Sequence, residues 1–402
     1  MRSAALGPVR TPARRPGQRA TAIAALTTVV AVLPVFLVGG LAVQLEHDLG
    51  MTASALGVAV ATFWAVSALL SAPAGYVASG LGLRRGVPLA VGLGFVALAG
   101  IAFVTPHWAW LILWLSFAGA ANALIHPLSN GLIVDQVAVR NRAFSFGLKQ
   151  AAIPTATLAA GLSVPVFALT VGWNWTFALA ALLAAALIPA LLRTLPRTAP
   201  RRRSGQAARE PLPRRLKSFL FATAVASALG AGQANVVGAF TVTMAVQAGF
   251  GAAGAGLLLG AASVAGILAR PLVGIAADRG IGGSMATVAL MMGAGSLGLL
   301  GMASGFPIAY AAGAVVAFGL GWGWNGLAHY VVSRTAHPFT VQATGITQSG
   351  TYIGGTLGPL LFGIVFSQFS PAVGWTLAAV VAAAGAAASL VAFRLEKRLH
   401  AT

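Results

Sequence analysis

The feature that most constrains this chain is a succession of twelve apolar runs of about 20 residues each, the length with which a helix crosses the hydrocarbon of a bilayer. Backbone polar groups inside lipid must be hydrogen-bonded within the spanning structure. A transmembrane β-barrel would show shorter, alternating segments, which are not seen. We therefore predict an all-α membrane protein with twelve transmembrane helices. We place these helices at 21–43, 51–78, 87–105, 107–133, 143–169, 173–193, 218–246, 252–276, 285–304, 306–331, 341–367 and 371–394.

Composition supports a membrane protein. The chain is 58% hydrophobic and only 8% charged, whereas soluble domains carry about 25% charged residues. The absence of cysteine excludes a disulfide framework and a thiolate metal site. We expect no cofactor and no metal.

The net charge of +19 is distributed asymmetrically. On the predicted topology, every Lys and Arg falls on the side of the N-terminus or inside a helix entered from it, while the opposite loops hold only Glu46 and Asp48. The positive-inside rule then predicts cytoplasmic termini and a multi-pass protein of the plasma membrane. We favour this topology, with attraction to anionic lipid, over nucleic-acid binding. The first apolar run is too long for a signal peptide and follows a basic tail, 1–20, that we expect to be disordered.

The chain divides into two halves. A Pro- and Arg-rich segment at 194–217 is predicted to be a solvated cytoplasmic linker between the bundles 21–193 and 218–394, and 395–402 to be a cytoplasmic tail. The halves echo each other: N-A-L-I-H at 122–126 returns as N-G-L-A-H at 325–329, and G-L-K-Q at 147–150 as G-I-T-Q at 345–348. Parallel repeats of six helices predict two pseudo-symmetric bundles with a substrate site between them.

G-I-A-A-D-R-G at 274–280 resembles the Gly-x-x-x-Asp-Arg-x-Gly loop of the major facilitator superfamily. In the first-half copy, Ser79 and Gly80 stand where the family has Asp and Arg. The resemblance implies a secondary transporter that works by alternating access, with a loop that latches the inward face by pairing its Asp with a neighbouring helix end and an Arg. The corresponding gating residues here are Gly75, Arg84, Arg85, Gly274, Asp278 and Arg279.

Polar residues at membrane depth are costly and mark candidate sites. A rise of 1.5 Å per residue puts Arg270 about 12 Å, and Lys149 about 10 Å, from the cytoplasmic surface. The candidate substrate-binding residues are Arg270, His126, Asn122, Lys149, Gln150, Asn325, His329, Gln348, Gln233 and Asn235.

Arg270 is the foremost candidate, because a guanidinium presents a planar fork that matches carboxylate or nitrate geometry. Its Arg-Pro-x-x-Gly-x-x-x-Asp setting is similar to helix 8 of nitrate/nitrite porters and monocarboxylate porters, where the Arg is implied to hold the anion. Alternatively, Arg270 is a gate or packing arginine tied to backbone carbonyls, or it snorkels to the cytoplasm. Lys149 is either a second positive charge of the site or an interfacial lysine. The repeated Asn–His pairs either face the cavity or hold helices together.

The six acidic residues all fall at helix ends or in loops, so the spans offer no buried carboxylate. This favours a transporter of a small polar solute, and of a monovalent anion rather than a cation. G-L-K-Q-A-A-I-P, R-P-L-V-G and G-W-G-W also resemble the cyanate-permease-like branch of the superfamily. If transport is proton-coupled, His126 or His329 carries the proton, or the anion brings its own. Drug or metabolite efflux is the alternative. We expect a monomer, not an enzyme, with a small-molecule substrate and the lipid bilayer as its partners.

Overall fold

The computed structural model describes residues 14–138, 141–195, 212–337 and 339–400. Within these ranges the apolar runs form twelve helices that are long and apolar enough to cross a membrane, and no strand is present. This confirms the all-α, twelve-helix prediction. The helices are α1 Arg14–Gly40, α2 Ala53–Ala78, α3 Gly80–Phe103, α4 Trp110–Gln136, α5 Phe144–Ala168, α6 Trp173–Thr194, α7 Arg214–Gln247, α8 Ala252–Asp278, α9 Met285–Ala303, α10 Pro307–Thr335, α11 Thr340–Gln368 and α12 Pro371–His400.

Several boundaries differ from the predicted ones. Helices α2 and α3 follow each other almost without a break where a loop was expected. Within that stretch only Gly82, with φ 65° and ψ −179°, has a non-helical backbone conformation. Glycine tolerates this left-handed φ because it has no Cβ. At the chain ends, α1 begins at Arg14, inside the predicted tail, and α12 continues to His400. Most of the predicted linker (196–211) and tail residues 1–13 lie outside the described residues.

The even number of helices puts both described chain ends on one face of the bundle, here called the terminal face, with the other called the opposite face. Near the opposite face the two six-helix halves approach each other closely. A Cβ added to Gly57 of α2 would lie 2.5 Å from the Pro359 carbonyl oxygen of α11, and one added to Gly161 of α5 would lie 2.5 Å from the Gly256 oxygen of α8. Thr157 and Ser263 hydroxyls form a 2.7 Å hydrogen bond between the same two helices. The halves are therefore packed together at the opposite face in this conformation.

A short helix, Ala42–Leu49, follows α1 on the opposite face. Its Asp48 accepts a hydrogen bond of 2.9 Å from Trp173 Nε1 at the start of α6 and lies 2.6 Å from His47 Nδ1. The hydrogen bond with His47 is the largest cause of the lowered pKa of Asp48. Burial opposes this lowering, and the bond from Trp173 adds to it. These contacts attach the short helix to the first half.

Helix α10 departs from the repeat symmetry. Its symmetry mate α4 is a continuous helix, whereas α10 consists of Pro307–Val316, a π-helical turn Ala317–Gly321 and a final helix Asn325–Thr335. The interruption leaves backbone carbonyls without intrahelical partners, and inside a membrane such groups need donors from elsewhere in the protein.

Candidate functional site

Lys149 lies at the centre of a buried polar cluster between the two halves. Its side chain is 1% exposed, so it does not snorkel to the surface. The Nζ amine donates to Asn130 Oδ1 of α4 over 2.6 Å and lies 3.4 Å from His126 Nδ1 of the same helix. Among the described residues no carboxylate lies within ion-pair distance of Lys149. This is therefore a buried amine whose direct partners are uncharged.

The two histidines of the repeated motif converge on this lysine from both halves. His126 lies within electrostatic range of Lys149 and of His329, and His329 lies within range of Lys149. Both side chains are half-buried. The repeat thus places one imidazole from α4 and one from α10 around a single amine of α5. We call Lys149, Asn130, His126 and His329 the lysine cluster.

Asn130 is a member that the sequence analysis missed. It lies four residues after His126 and eight after Asn122, so the three side chains project from one face of α4. The spacing was visible in the sequence, since Asn122–His126 simply continues to Asn130. Only the structure shows that Asn130, and not Asn122, contacts the lysine.

Arg270 points into the protein rather than into lipid, with 3% of its side chain exposed. Its Nη1 donates to the Gly266 carbonyl of its own helix over 2.7 Å, and its Nη2 to the Trp322 carbonyl in the interruption of α10 over 3.0 Å. Its guanidinium carbon also lies 5.8 Å from the ring centroid of Trp322. Only Nε remains buried without a partner. The geometry agrees with the gate or packing arginine that the sequence left open.

Gln233 of α7 assists Arg270 at the same interruption. Its Nε2 donates to the Gly321 carbonyl over 2.7 Å and to the Gly230 carbonyl over 3.1 Å. Two polar side chains from neighbouring helices therefore satisfy consecutive carbonyls of the broken helix, Gly321 and Trp322.

Asn235 belongs to a different contact, between α7, α2 and α11. Its Nδ2 donates to the Ala231 carbonyl, while its Oδ1 and the indole N–H of Trp64 are buried without partners. The rings of Trp64 and Tyr352 have centroids 6.3 Å apart, and Gln348, which is half-buried, lies one helical turn before Tyr352 in α11.

None of the remaining candidates has a hydrogen bond to Lys149 within the described ranges. Asn122 is fully buried and donates from Nδ2 to Ser67 Oγ of α2 over 3.0 Å, so it ties α4 to α2. Asn325 is 8% exposed and begins the last helix of α10. Gln150 follows Lys149, and its Oε1 is buried without a partner.

The predicted gating residues lie at the terminal face. Asp278 ends α8 and is exposed, as is Arg279, and neither has an ion pair with any part of the chain that the structure describes. Gly274 has open space where a Cβ would be. Gly75 and Arg84 are half-buried, while Arg85 is exposed. In this conformation Asp278 forms no latch with a described residue.

An ion pair that the sequence did not predict lies nearby. Arg334, in the last turn of α10, pairs with Glu396 of α12 over 3.2 Å and donates to the Gly283 carbonyl over 3.0 Å. Glu396 also accepts from the Met285 backbone N–H at the start of α9. These contacts join three helices of the second half and none of the first half.

Comparisons with known proteins agree with this architecture. A family model described as Major Facilitator Superfamily matches residues 24–232 and again 220–402, one match for each half. Among solved structures, a crystal structure of a D-xylose-proton symporter superposes with a TM-score of 0.74 at 18% sequence identity, covering 91% of this chain and 95% of that one. At that identity the likeness shows the fold. No curated protein sequence matches the chain significantly.

Proposed function

Because this chain belongs to the major facilitator superfamily, we propose that it is a secondary active transporter that moves a small monovalent anion by alternating access. Alternating access in this fold is a movement of one six-helix half against the other around a central site. The lysine cluster is the proposed site, because α4 and α5 belong to the first half and α10 to the second.

The observation that carries the proposal is the burial of the Lys149 amine among uncharged partners. A buried ammonium is costly unless an opposite charge compensates it. Asn130 and His126 supply hydrogen-bond partners but no negative charge. A monovalent anion would supply the missing charge and would occupy donor capacity that the two partners leave unused, since an ammonium has three N–H groups.

The positions of the carboxylates argue against a cationic substrate. Five acidic residues lie in the described ranges. Glu46 and Asp48 lie in the short helix of the opposite face, and Asp135 and Asp278 lie at the ends of α4 and α8. Glu396, contrary to the expectation that no carboxylate is buried in a span, is buried near the end of α12, where it is paired with Arg334. The sixth, Glu210, lies outside the described residues. An organic cation would therefore meet Lys149 without a compensating acid.

Arg270 contributes by holding the interruption of α10 in shape, and through it the segment that carries His329. Its similarity in sequence to the arginine of nitrate and monocarboxylate porters supports an anionic substrate, although here its two Nη groups are engaged by carbonyls. The positive-inside charge pattern supports a cytoplasmic terminal face in the plasma membrane.

The test is uptake into proteoliposomes that contain the purified protein, with labelled nitrate, cyanate, formate and lactate as the anions. D-xylose and a cationic dye serve as the alternative substrates. We expect saturable uptake of at least one anion, and a loss of tenfold or more in the Lys149→Gln variant. Lys217→Gln is the matched control, since Lys217 is an exposed lysine at the terminal face. Transport of xylose or dye without any anion would contradict the proposal.

A further inference from the structure

The surroundings of Lys149 also bear on what drives transport. The site holds the amine among uncharged partners, so its charged form is compensated only when an anion is present. The neutral amine fits the same partners, because Asn130 Oδ1 accepts a hydrogen bond from –NH2 as well as from –NH3+. The site is therefore suited to a neutral amine when empty and to an ammonium–anion pair when loaded.

The groups that face Lys149 from the surrounding helices are few. Helix α4 presents His126 and Asn130, and α10 presents His329. Helix α8 approaches α5 through the backbone, with the Arg270 oxygen 3.8 Å from a Cβ built on Gly147, while its guanidinium is bonded to carbonyls. Helix α1 contacts α5 through the hydroxyls of Thr21 and Ser145.

We propose that Lys149 carries the proton that accompanies each anion, so that the protein moves one proton and one anion together without net charge. This inference rests on the proposed function. When the anion X− enters, the amine takes a proton from hydronium, giving –NH3+ paired with X− and releasing water. After the halves rearrange, X− leaves, the ammonium returns its proton to water, and the neutral amine completes the cycle.

His126 is the competing carrier, and its position favours the lysine. Its Nδ1 lies 3.4 Å from Lys149 Nζ, so protonation of both would place two like charges in contact. Only one of the two groups can therefore hold a proton in the loaded site, and the amine is the stronger base of the two in water. The imidazoles then orient the amine and accept or donate hydrogen bonds while remaining neutral.

The experiment measures protons, anions and charge in the same proteoliposomes, using whichever of nitrate, cyanate, formate and lactate the wild type transports. For the wild type we expect one proton per anion from a trapped pH dye. We also expect uptake that follows an imposed pH gradient and is unchanged when valinomycin and potassium set the membrane potential. Lys149→Arg keeps a permanent charge. It should still bind the anion in a thermal-shift assay but lose pH-driven accumulation tenfold or more. His126→Gln and His329→Gln should keep the one-to-one ratio.

The outcomes separate this inference from the proposed function. If no anion is transported, both fail together. If an anion is transported without protons, or if either histidine variant loses coupling while Lys149→Arg keeps it, only the role of Lys149 as carrier fails. The wild-type proton count shows whether a proton accompanies the anion even if a variant does not fold.

Discussion

Arg270 Nη2 donates a 3.0 Å hydrogen bond to the backbone carbonyl of Trp322, so an arginine of α8 caps the interruption of α10. Gln233 of α7 caps the adjacent Gly321 carbonyl. The interrupted segment lies between the first part of α10, Pro307–Val316, and its final helix, Asn325–Thr335, which carries His329. The shape of α10, and with it the position of one imidazole of the lysine cluster, therefore depends on side chains from two other helices.

Replacing Arg270 tests this capping role. Hydrogen bonds from a charged donor contribute about 1.5–3 kcal/mol each. Removing the arginine also removes the cost of burying its charge, which offsets part of this loss. We therefore expect Arg270→Ala to lower the free energy of unfolding by about 2 kcal/mol. The thermal unfolding midpoint in detergent, with Arg279→Ala as the exposed control, measures the loss. An unchanged midpoint with a strongly raised KM would instead identify Arg270 as a substrate contact.

Asn130→Asp should block the lysine cluster with a built-in anion. The new carboxylate would replace an oxygen that now lies 2.6 Å from Lys149 Nζ and would compensate the ammonium permanently. We expect the KM for anion uptake to rise tenfold or more while the protein stays folded. Asn130→Ser, which keeps an oxygen without a charge, should stay within a few-fold of wild type. Equal uptake by Asn130→Asp and wild type would show that the substrate does not approach Lys149.

Gly161→Ala should prevent the two halves from closing at the opposite face, because the added Cβ would lie 2.5 Å from the Gly256 oxygen. Backbone at such a distance must move apart. We expect uptake to fall tenfold or more, with unchanged expression.

Since the chain has no cysteine, a single Ser54→Cys between α2 and α11 can report opening of the two halves at the opposite face through several-fold faster labelling by an impermeant maleimide. Gly131→Ala, where nothing lies within 4 Å, is the control. Normal uptake in Gly161→Ala would contradict the packed interface.

Asn122 and Ser67 should behave as a packing pair rather than as substrate contacts. Their 3.0 Å hydrogen bond joins α4 to α2, and interhelical hydrogen bonds in membranes contribute about 0.6 kcal/mol. A double-mutant cycle with Asn122→Ala and Ser67→Ala should give a coupling energy of about that size in thermal unfolding. Uptake should keep its KM. A tenfold increase in KM for Asn122→Ala alone would return this residue to the substrate site.

Acid should release the short helix Ala42–Leu49 from α6. A carboxyl whose pKa is lowered by folding stabilises the native contact above its unfolded pKa, about 3.9 for Asp, and the stabilisation is lost as the pH falls through the lower folded value. For Asp48 this loss occurs below about pH 4. Tryptophan fluorescence during acid titration should change there, and the change should be absent in Asp48→Asn. A transition that persists in Asp48→Asn would assign it to another group.

Much of the architecture was predictable from local sequence. Helices in lipid must satisfy their own backbone hydrogen bonds, so the apolar run lengths alone predicted twelve helices. The loop between α2 and α3 was not predictable, because whether eight residues form a loop or a single kink at Gly82 depends on how the two helices pack. The repeated Asn–His motif correctly suggested symmetry between the halves, but not that α10 would be interrupted where α4 is continuous.

The sequence by itself determined the spans and the rarity of charge inside them, since hydropathy and helix length are local properties that lipid enforces directly. The tertiary structure decided which partners the polar side chains have. Arg270 donates to backbone carbonyls and Asn122 to Ser67, while Lys149 donates to Asn130 and lies close to His126. Spacing along one helix says which side chains share a face. It does not say which neighbouring helix that face meets, because this follows from the packing of residues that lie, in these pairs, 19 to 55 positions apart in the chain.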